Sequence, residues 1–292
     1  MTNRGSQTAE VVALFRALET LEPERERLFA DPYAEQCLRP AARVLLWLAR
    51  LPPARRRMLR IIDRKWPGAR TSAVARTRLV DECLRRALTD GARQVLILGA
   101  GFDALAWRIP EIAAARVYEV DHPLTQADKL RLVGRSPAQR PVVTYVPVDF
   151  DRQALEPELR RSDFDVHART FVLWEGVTNY LTEAAVDSTL RVIAASVPRG
   201  SQLLFTYVHR GLLDGSVRFD GGAEILARVR DVGEPWTCGF DPREMPEYLA
   251  ARGFTLDEDL SADDYRARYY GDAARSMKGY SFYRAVRAAR AL

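Results

Sequence analysis

From Gln94 onward the chain repeats one unit: a short unbroken apolar run, then a stretch long enough for a helix. Gln94–Leu98, Arg116–Val120, Val142–Val148, Thr170–Leu173 and Gln202–Val208 are the runs, and Leu124–Val133 and Glu183–Val197 are helical segments between them. A strand apolar at every position has to be covered on both faces. Strands alternating with helices imply right-handed crossovers, hence an α/β fold with a parallel sheet and helices on both sides. Thr255–Leu260 and Tyr280–Val286 are read as further strands, the last antiparallel.

Residues 1–90 have a different texture and read as helices only. Val11, Val12, Leu14, Phe15 and Leu18 form a helical apolar stripe that Pro23 ends, and Asp31-Pro32-Tyr33 looks like a helix start. Ala41–Leu51 and Ala54–Arg64 flank Pro52-Pro53; Pro67-Gly68 breaks the chain, and a helix from Ser72 runs to Asp90-Gly91. Asp241-Pro242-Arg243-Glu244 has the cap, proline and acid of another helix start. The organisation expected is a helical cap over residues 1–90 on an α/β unit spanning 91–292, forming one compact body.

At 292 residues and 47% apolar the chain can bury a core without disulfides or metals. Cys37, Cys83 and Cys238 lie far apart, and three histidines are few. These features point to an intracellular, cytoplasmic protein without a metal site. No uncharged apolar window of about 18 residues occurs, so no span, secretory segment or membrane partner is expected. Charge is uneven: Arg39–Arg78 carries twelve basic residues and one acid, Asp63. Such a patch suits nucleic acid, a membrane surface or an acidic small molecule, or is simply a solvated face with arginine stems over apolar neighbours. With only Trp47 and Trp66 for stacking, nucleic acid is the least favoured.

In an open parallel sheet, ligands bind beyond the carboxyl ends of the strands. The first run ends in Gly99-Ala100-Gly101-Phe102-Asp103, where two glycines let the backbone turn and approach a ligand. Gly99 to Ala104 also matches the G-x-G-x-x-A dinucleotide pattern. Asp121 falls 20 residues beyond Gly101, where an acid accepts ribose hydroxyls. Glu119, two residues earlier on the same side of the strand, competes for that role, and His122 adjoins it at the next helix start. Asp149-Phe150 ends the third run, with a carboxylate for an exocyclic amine and a ring for adenine. A pyrophosphate would add negative charge to this acidic rim. A sulfonium would not, which favours S-adenosylmethionine over a nicotinamide dinucleotide.

Ala75-Arg76-Thr77-Arg78-Leu79-Val80-Asp81, the glycine loop, Trp107-Arg108, Glu119-Val-Asp121-His-Pro123, Lys129-Leu130, Asp149-Phe150 and Trp174-Glu175-Gly176-Val177-Thr-Asn-Tyr180-Leu181 follow one another in order. In this the chain resembles the leucine carboxyl methyltransferase family, in its bacterial branch of S-adenosylmethionine-dependent O-methyltransferases. Asp31-Pro32-Tyr33, Gly233-Glu234-Pro235-Trp236, Gly239 and Asp241-Pro242 extend the likeness over nearly the whole chain. The resemblance implies a class I, Rossmann-type sheet of seven mostly parallel strands. It also implies that Arg76 holds the methionine carboxylate, that Gly99, Ala100 and Gly101 line the methionine-to-ribose part, and that Glu175, with Gly176, faces the methionyl amine. Many bacterial relatives have Asp-Thr-Arg where this chain has Asp103-Ala104-Leu105, so only Asp103 of that trio remains.

Methyl transfer needs alignment of nucleophile, methyl and sulfur, and a base only if the acceptor is un-ionised. His209, Tyr207 and Tyr180 are the candidate bases. The acceptor expected is a carboxylate or phenolic hydroxyl on a small molecule, anionic and of polyketide type, recognised in part by basic residues of the cap. A protein C-terminus, a tRNA base, a nicotinamide oxidoreductase reaction and a non-catalytic cofactor binder are the alternatives. Oligomeric state has no signature in the sequence.

Overall fold

The computed structural model describes residues 7–133, 143–150 and 153–291. Seven strands form one sheet in the order β3-β2-β1-β4-β5-β7-β6. They are β1 Gln94–Leu98, β2 Arg116–Asp121, β3 Val143–Pro147, β4 Thr170–Trp174, β5 Gln202–Val208, β6 Phe254–Ser261 and β7 Tyr283–Arg290. The first five are parallel, and β7 runs antiparallel between β5 and β6. Every residue of β1 and β4 is buried, as their unbroken apolar runs require.

Helices α1 Gln7–Thr20, α2 Pro40–Ala49, α3 Pro52–Lys65 and α4 Ala69–Thr89 precede the sheet. Between strands lie α5 Leu105–Arg108, α6 Pro123–Val133, α7 Leu155–Arg161, α8 Glu183–Ser196, α9 Arg210–Leu213, α10 Gly222–Asp231, α11 Met245–Ala250 and α12 Ala262–Tyr270. The period-2 alternation sorts the sheet into two cores. Leu96, Leu98, Val172, Trp174, Phe205 and Tyr207 face one side, under α7, α8 and α11. Val95, Ile97, Phe171, Leu173 and Leu204 face the other, under α4 and α12. A third core joins Phe15, Leu18, Leu38, Leu46 and Ile62 to the N-terminal half of α4, so that one helix belongs to both cap and sheet. None of the helices among the described residues is long and apolar enough to cross a membrane.

Three expectations shift, and a fourth is not tested. Val142, expected to open β3, lies outside the described residues. Asp31 does cap a turn, its Oδ1 accepting from the backbone N–H of Tyr33 at 3.1 Å and of Ala34 at 3.0 Å, but the turn is a short 3-10 segment, Ala34–Cys37. Arg39 stands before Pro40 and is extended, which ends that turn and opens α2. Asp241–Glu244 forms a turn, its Asp241 Oδ1 accepting from Arg243 N–H, and α11 starts only at Met245. The last strand begins at Tyr283 instead of Tyr280, because Tyr280 sits at φ 64°, a left-handed conformation no strand accommodates.

Candidate functional site

β1 pairs with β2 on one edge and β4 on the other, so the strand order reverses at β1. The carboxyl ends of β1 and β4 therefore border a crevice. A cavity of about 640 Å³ opens there, walled by the loops after β1 to β4 and roofed by α1, α4 and α10.

The floor is the glycine loop. Gly99 has φ +67°, and a Cβ on it would stand 2.2 Å from Val177 Cγ2, so this glycine is a steric requirement. Gly101 has φ +47°, but the nearest atoms to a Cβ there are 3.8 Å away or more, leaving its face open to the cavity. Asp121, at the end of β2, ties the loop down: its Oδ2 accepts from Gly101 N–H and its Oδ1 from His122 N–H, the latter at 2.6 Å. Burial raises the Asp121 pKa, while these two N–H groups pull the other way. Each carboxylate oxygen retains acceptor capacity, so the group can still take ligand hydroxyls.

Asp149 and Phe150 line the cavity beyond β3, and His122 Nε2 comes within 3.8 Å of Asp149 Oδ2. Opposite, Arg76 on α4 donates from Nε to Glu175 Oε1 at 2.6 Å, and its guanidinium lies 4.6 Å from the Tyr283 ring centroid. Burial disfavours the Arg76 charge, yet Glu175 and the surrounding tyrosines outweigh it and its pKa is raised. A cation and a carboxylate side by side offer matched partners for a zwitterionic amino acid. Gly176, at φ +73°, donates its N–H to Thr206 Oγ1 at 2.8 Å and also lines the cavity.

The structure gathers Arg76, Gly99, Ala100, Gly101, Asp103, Asp121, His122, Asp149, Phe150, Glu175, Gly176 and Tyr180 around one cavity. It leaves three expected site residues out. Glu119 is sealed against Lys129, Oε2 to Nζ at 2.7 Å with both side chains 2% exposed, so the acid one pleat earlier on the strand supports the sheet instead of the ligand. Tyr207 is fully buried on the α8 side and donates to Asp259 Oδ2 on β6 at 2.6 Å, its pKa raised by burial and by that carboxylate. His209 caps α9, its Nδ1 accepting from Gly211 N–H at 2.9 Å, and burial lowers its pKa. Neither Tyr207 nor His209 lines the cavity. Asp103 is held ionised: burial raises its pKa, but Arg16, Arg108 and Lys129 outweigh that, and its Oδ1 accepts from Leu105 N–H at 2.5 Å. Its work is to fix the start of α5. Of the twelve basic residues in Arg39–Arg78, Arg76 alone lines the cavity.

The cavity also holds residues that the sequence reading gave no role. Thr8 on α1 donates from Oγ1 to Glu234 Oε2 at 2.7 Å, and the Tyr180 hydroxyl donates to Thr8 Oγ1 at 3.4 Å. Trp66, Trp236, Tyr280 and Tyr283 supply aromatic wall. Gly233–Trp236 stood out in the sequence only through the resemblance, and Thr8 carries no sequence signal at all.

The leucine carboxyl methyltransferase family model matches residues 9–194. A relative from Mycolicibacterium gilvum, described as a "putative S-adenosyl-L-methionine-dependent methyltransferase", is 35% identical over 260 residues, 86% of this chain and 78% of its own length. One from Streptomyces avermitilis with the same description is 33% identical over 276 residues, 90% and 87% of the two chains. A crystal structure of a "putative methyltransferase" from Thermobifida fusca superposes with TM-score 0.58 at 19% identity, covering 95% of this chain and 94% of its own, a likeness of fold. The nicotinamide alternative gives way to S-adenosylmethionine, whose amino acid, ribose and adenine the carboxylates, arginine and aromatic ring of the cavity are chemically suited to hold. The chain belongs to the leucine carboxyl methyltransferase family and is an S-adenosylmethionine-dependent methyltransferase.

Proposed function

We propose that the enzyme methylates an oxygen, a phenolic hydroxyl or carboxylate, on a small, largely apolar, ring-bearing metabolite of secondary type in the cytoplasm. The observation that carries this reading is the wall remote from the acidic rim. Phe15, Trp66, Val229, Trp236 and Tyr280 line it; of the cavity's three arginines, Arg76 is paired with Glu175, Arg16 with Asp31, and Arg228 is exposed. Such a wall stabilises flat apolar surface and offers little to a highly charged acceptor. The anionic character expected from sequence is therefore limited to the single reacting oxygen.

For the cofactor, Arg76 would bind the methionine carboxylate, Glu175 the amino group, Asp121 the ribose, and Asp149 with Phe150 the adenine, while the glycine loop leaves room for the chain between them. The bound cofactor supplies an electrophilic methyl on a sulfonium. Residues 1–90 would act as the cap that excludes water, since α1 and α4 both contribute to the roof.

Tyr180 is the polar group placed to orient the acceptor. Burial raises its pKa, so it stays a neutral phenol and is no base by itself. Its proton points to Thr8, and the Thr8 proton to Glu234. The Tyr180 oxygen, which Trp236 also approaches as a donor, keeps a second lone pair that can accept from an acceptor O–H, and a proton taken there can pass through Thr8 to the Glu234 carboxylate. That relay favours a hydroxyl acceptor over a carboxylate, which has no proton to lose. The test is a screen of phenols and aromatic acids with labelled S-adenosylmethionine, on wild type and Tyr180→Phe. Phenol methylation that Tyr180→Phe slows supports the relay. Turnover of aliphatic polyacids alone would sink the reading.

A further inference from the structure

Of eleven large apolar side chains exposed among the described residues, six fall between Val44 and Ile61. Singly scattered exposed residues need no explanation, but a cluster does. Val44, Trp47 and Leu48 recur at i, i+3 and i+4, with Leu45 beside them, and so share the outer face of α2, and Leu51 follows in the turn to α3. Trp47 and Leu51 are each 62% exposed and Val44 59%, whereas Leu46 and Ala49 on the opposite face are buried in the cap core.

The next helix adds charge. Arg56, Arg57, Arg60, Arg64 and Lys65 on α3 are exposed and make no ion pair among the described residues, and Ile61 stands out among them at 56% exposure. Their neighbours do find acids: Arg39 pairs with Glu10, Arg50 with Glu35, Arg55 with Glu22 and Arg70 with Asp63. Five unpaired cations therefore flank an apolar ridge bearing a tryptophan.

We propose that the α2–α3 hairpin docks on an anionic lipid surface, the ridge entering the headgroup–acyl boundary and the cations meeting phosphates. Charge complementarity selects this occupant. A second copy of the chain would bring the cationic row towards itself, and nucleic acid would leave the wide apolar face of α2 without a partner. An interfacial helix combines these features: apolar residues with tryptophan on one side, and arginine and lysine beside them. The proposal replaces the expectation of no membrane contact, which rested on the lack of a spanning segment. It is independent of the acceptor's identity.

The test is co-sedimentation of the purified protein with vesicles of phosphatidylcholine alone or mixed with phosphatidylglycerol, at low and high salt. Three proteins are compared: wild type, Trp47→Ser/Leu48→Ser, and Arg56→Gln/Arg57→Gln/Arg60→Gln. All five positions are exposed, and an unchanged melting shift with S-adenosylhomocysteine shows that the variants fold. Wild type should bind the anionic vesicles and release in salt. At about fivefold per cation near the surface, the triple variant should lose affinity on the order of a hundredfold. The Trp47→Ser/Leu48→Ser variant should lose at least about tenfold. Absence of binding, or binding indifferent to Trp47→Ser/Leu48→Ser, overturns the proposal. So does a wild-type dimer in light scattering that the same pair converts to monomer, since the ridge then belongs to a second copy. Duplex DNA binding that needs only the arginines, with no vesicle binding, overturns it in favour of nucleic acid.

Discussion

Substituting Asp121 by Asn separates the ligand role of this side chain from its structural one. In the protein its two carboxylate oxygens accept from Gly101 N–H and His122 N–H. An amide keeps one acceptor and turns a donor towards the other N–H. In the proposed role the carboxylate also accepts two ribose hydroxyls. Hydrogen bonds to a charged acceptor contribute roughly 1.5–3 kcal/mol and neutral ones roughly 0.5–1.5, so two weakened bonds cost about 2–3 kcal/mol of binding. That corresponds to a roughly 30- to 150-fold rise in the Kd for S-adenosylhomocysteine, read by calorimetry. The fold should barely notice. Burial raises the folded-state pKa of Asp121, so below its unfolded pKa the group contributes stability that is lost as pH rises through the folded value. At neutral pH the ionised form is already a cost, and removing the charge offsets the lost backbone bond. The same sign fixes the pH dependence: affinity in wild type should fall as pH drops through a midpoint above the ordinary aspartate range, and Asp121→Asn should lack that limb. A Kd within about threefold of wild type, well under 1.4 kcal/mol, or an acid limb that survives the substitution, would refute the assignment.

Lys129→Met strands the Glu119 carboxylate at 2% exposure and should cost about 3–5 kcal/mol in urea unfolding, with Glu119→Gln/Lys129→Met recovering most of it; a single-variant loss below about 1 kcal/mol would show the pair to be solvated. Gly99→Ala combines a left-handed backbone with the Val177 clash, so about 1–2 kcal/mol of backbone strain adds to about 1–3 of overpacking. Gly101→Ala, with open space around its Cβ, should pay only the backbone part, and equal melting losses for the two would contradict the geometry. Tyr207→Phe and His209→Gln should leave S-adenosylhomocysteine affinity unchanged, because both side chains lie outside the cavity; a loss of binding in His209→Gln without a loss of stability would return that histidine to the site.

The sheet and its ligand edge were legible because burial on both faces leaves apolar runs that hydration alone cannot explain away, as in β1 and β4. Boundaries failed where a backbone angle decided them. Nothing in the pattern of Tyr280–Val286 announces that Tyr280 takes a positive φ, and nothing in Asp241–Glu244 announces that Asp241 caps a turn four residues ahead of α11. Glu119 and Asp121 share one side of β2, and periodicity cannot tell which acid a lysine ten residues on will claim. Lys129 supplies the answer only once α6 is packed against the strand.

The proposed acceptor side was illegible for a different reason. The proposed cofactor half of the cavity is assembled at the ends of successive strands, where topology converts sequence order into position. The other half joins Thr8 of α1, Tyr180 after β4, Glu234 after α10 and Tyr283 of β7, positions far apart in the chain. No local spacing rule links such positions: Tyr180 stood out as a candidate base and Glu234 through the resemblance, but nothing in the sequence joined either to Thr8 or Tyr283. The loop that carries His209, after β5, is at the ligand edge of the sheet, but Gly211 N–H holds its Nδ1 and the ring lies against Phe219, 5.2 Å between centroids. Proximity to the right edge does not put a side chain in the cavity when capping the next helix claims its acceptor nitrogen.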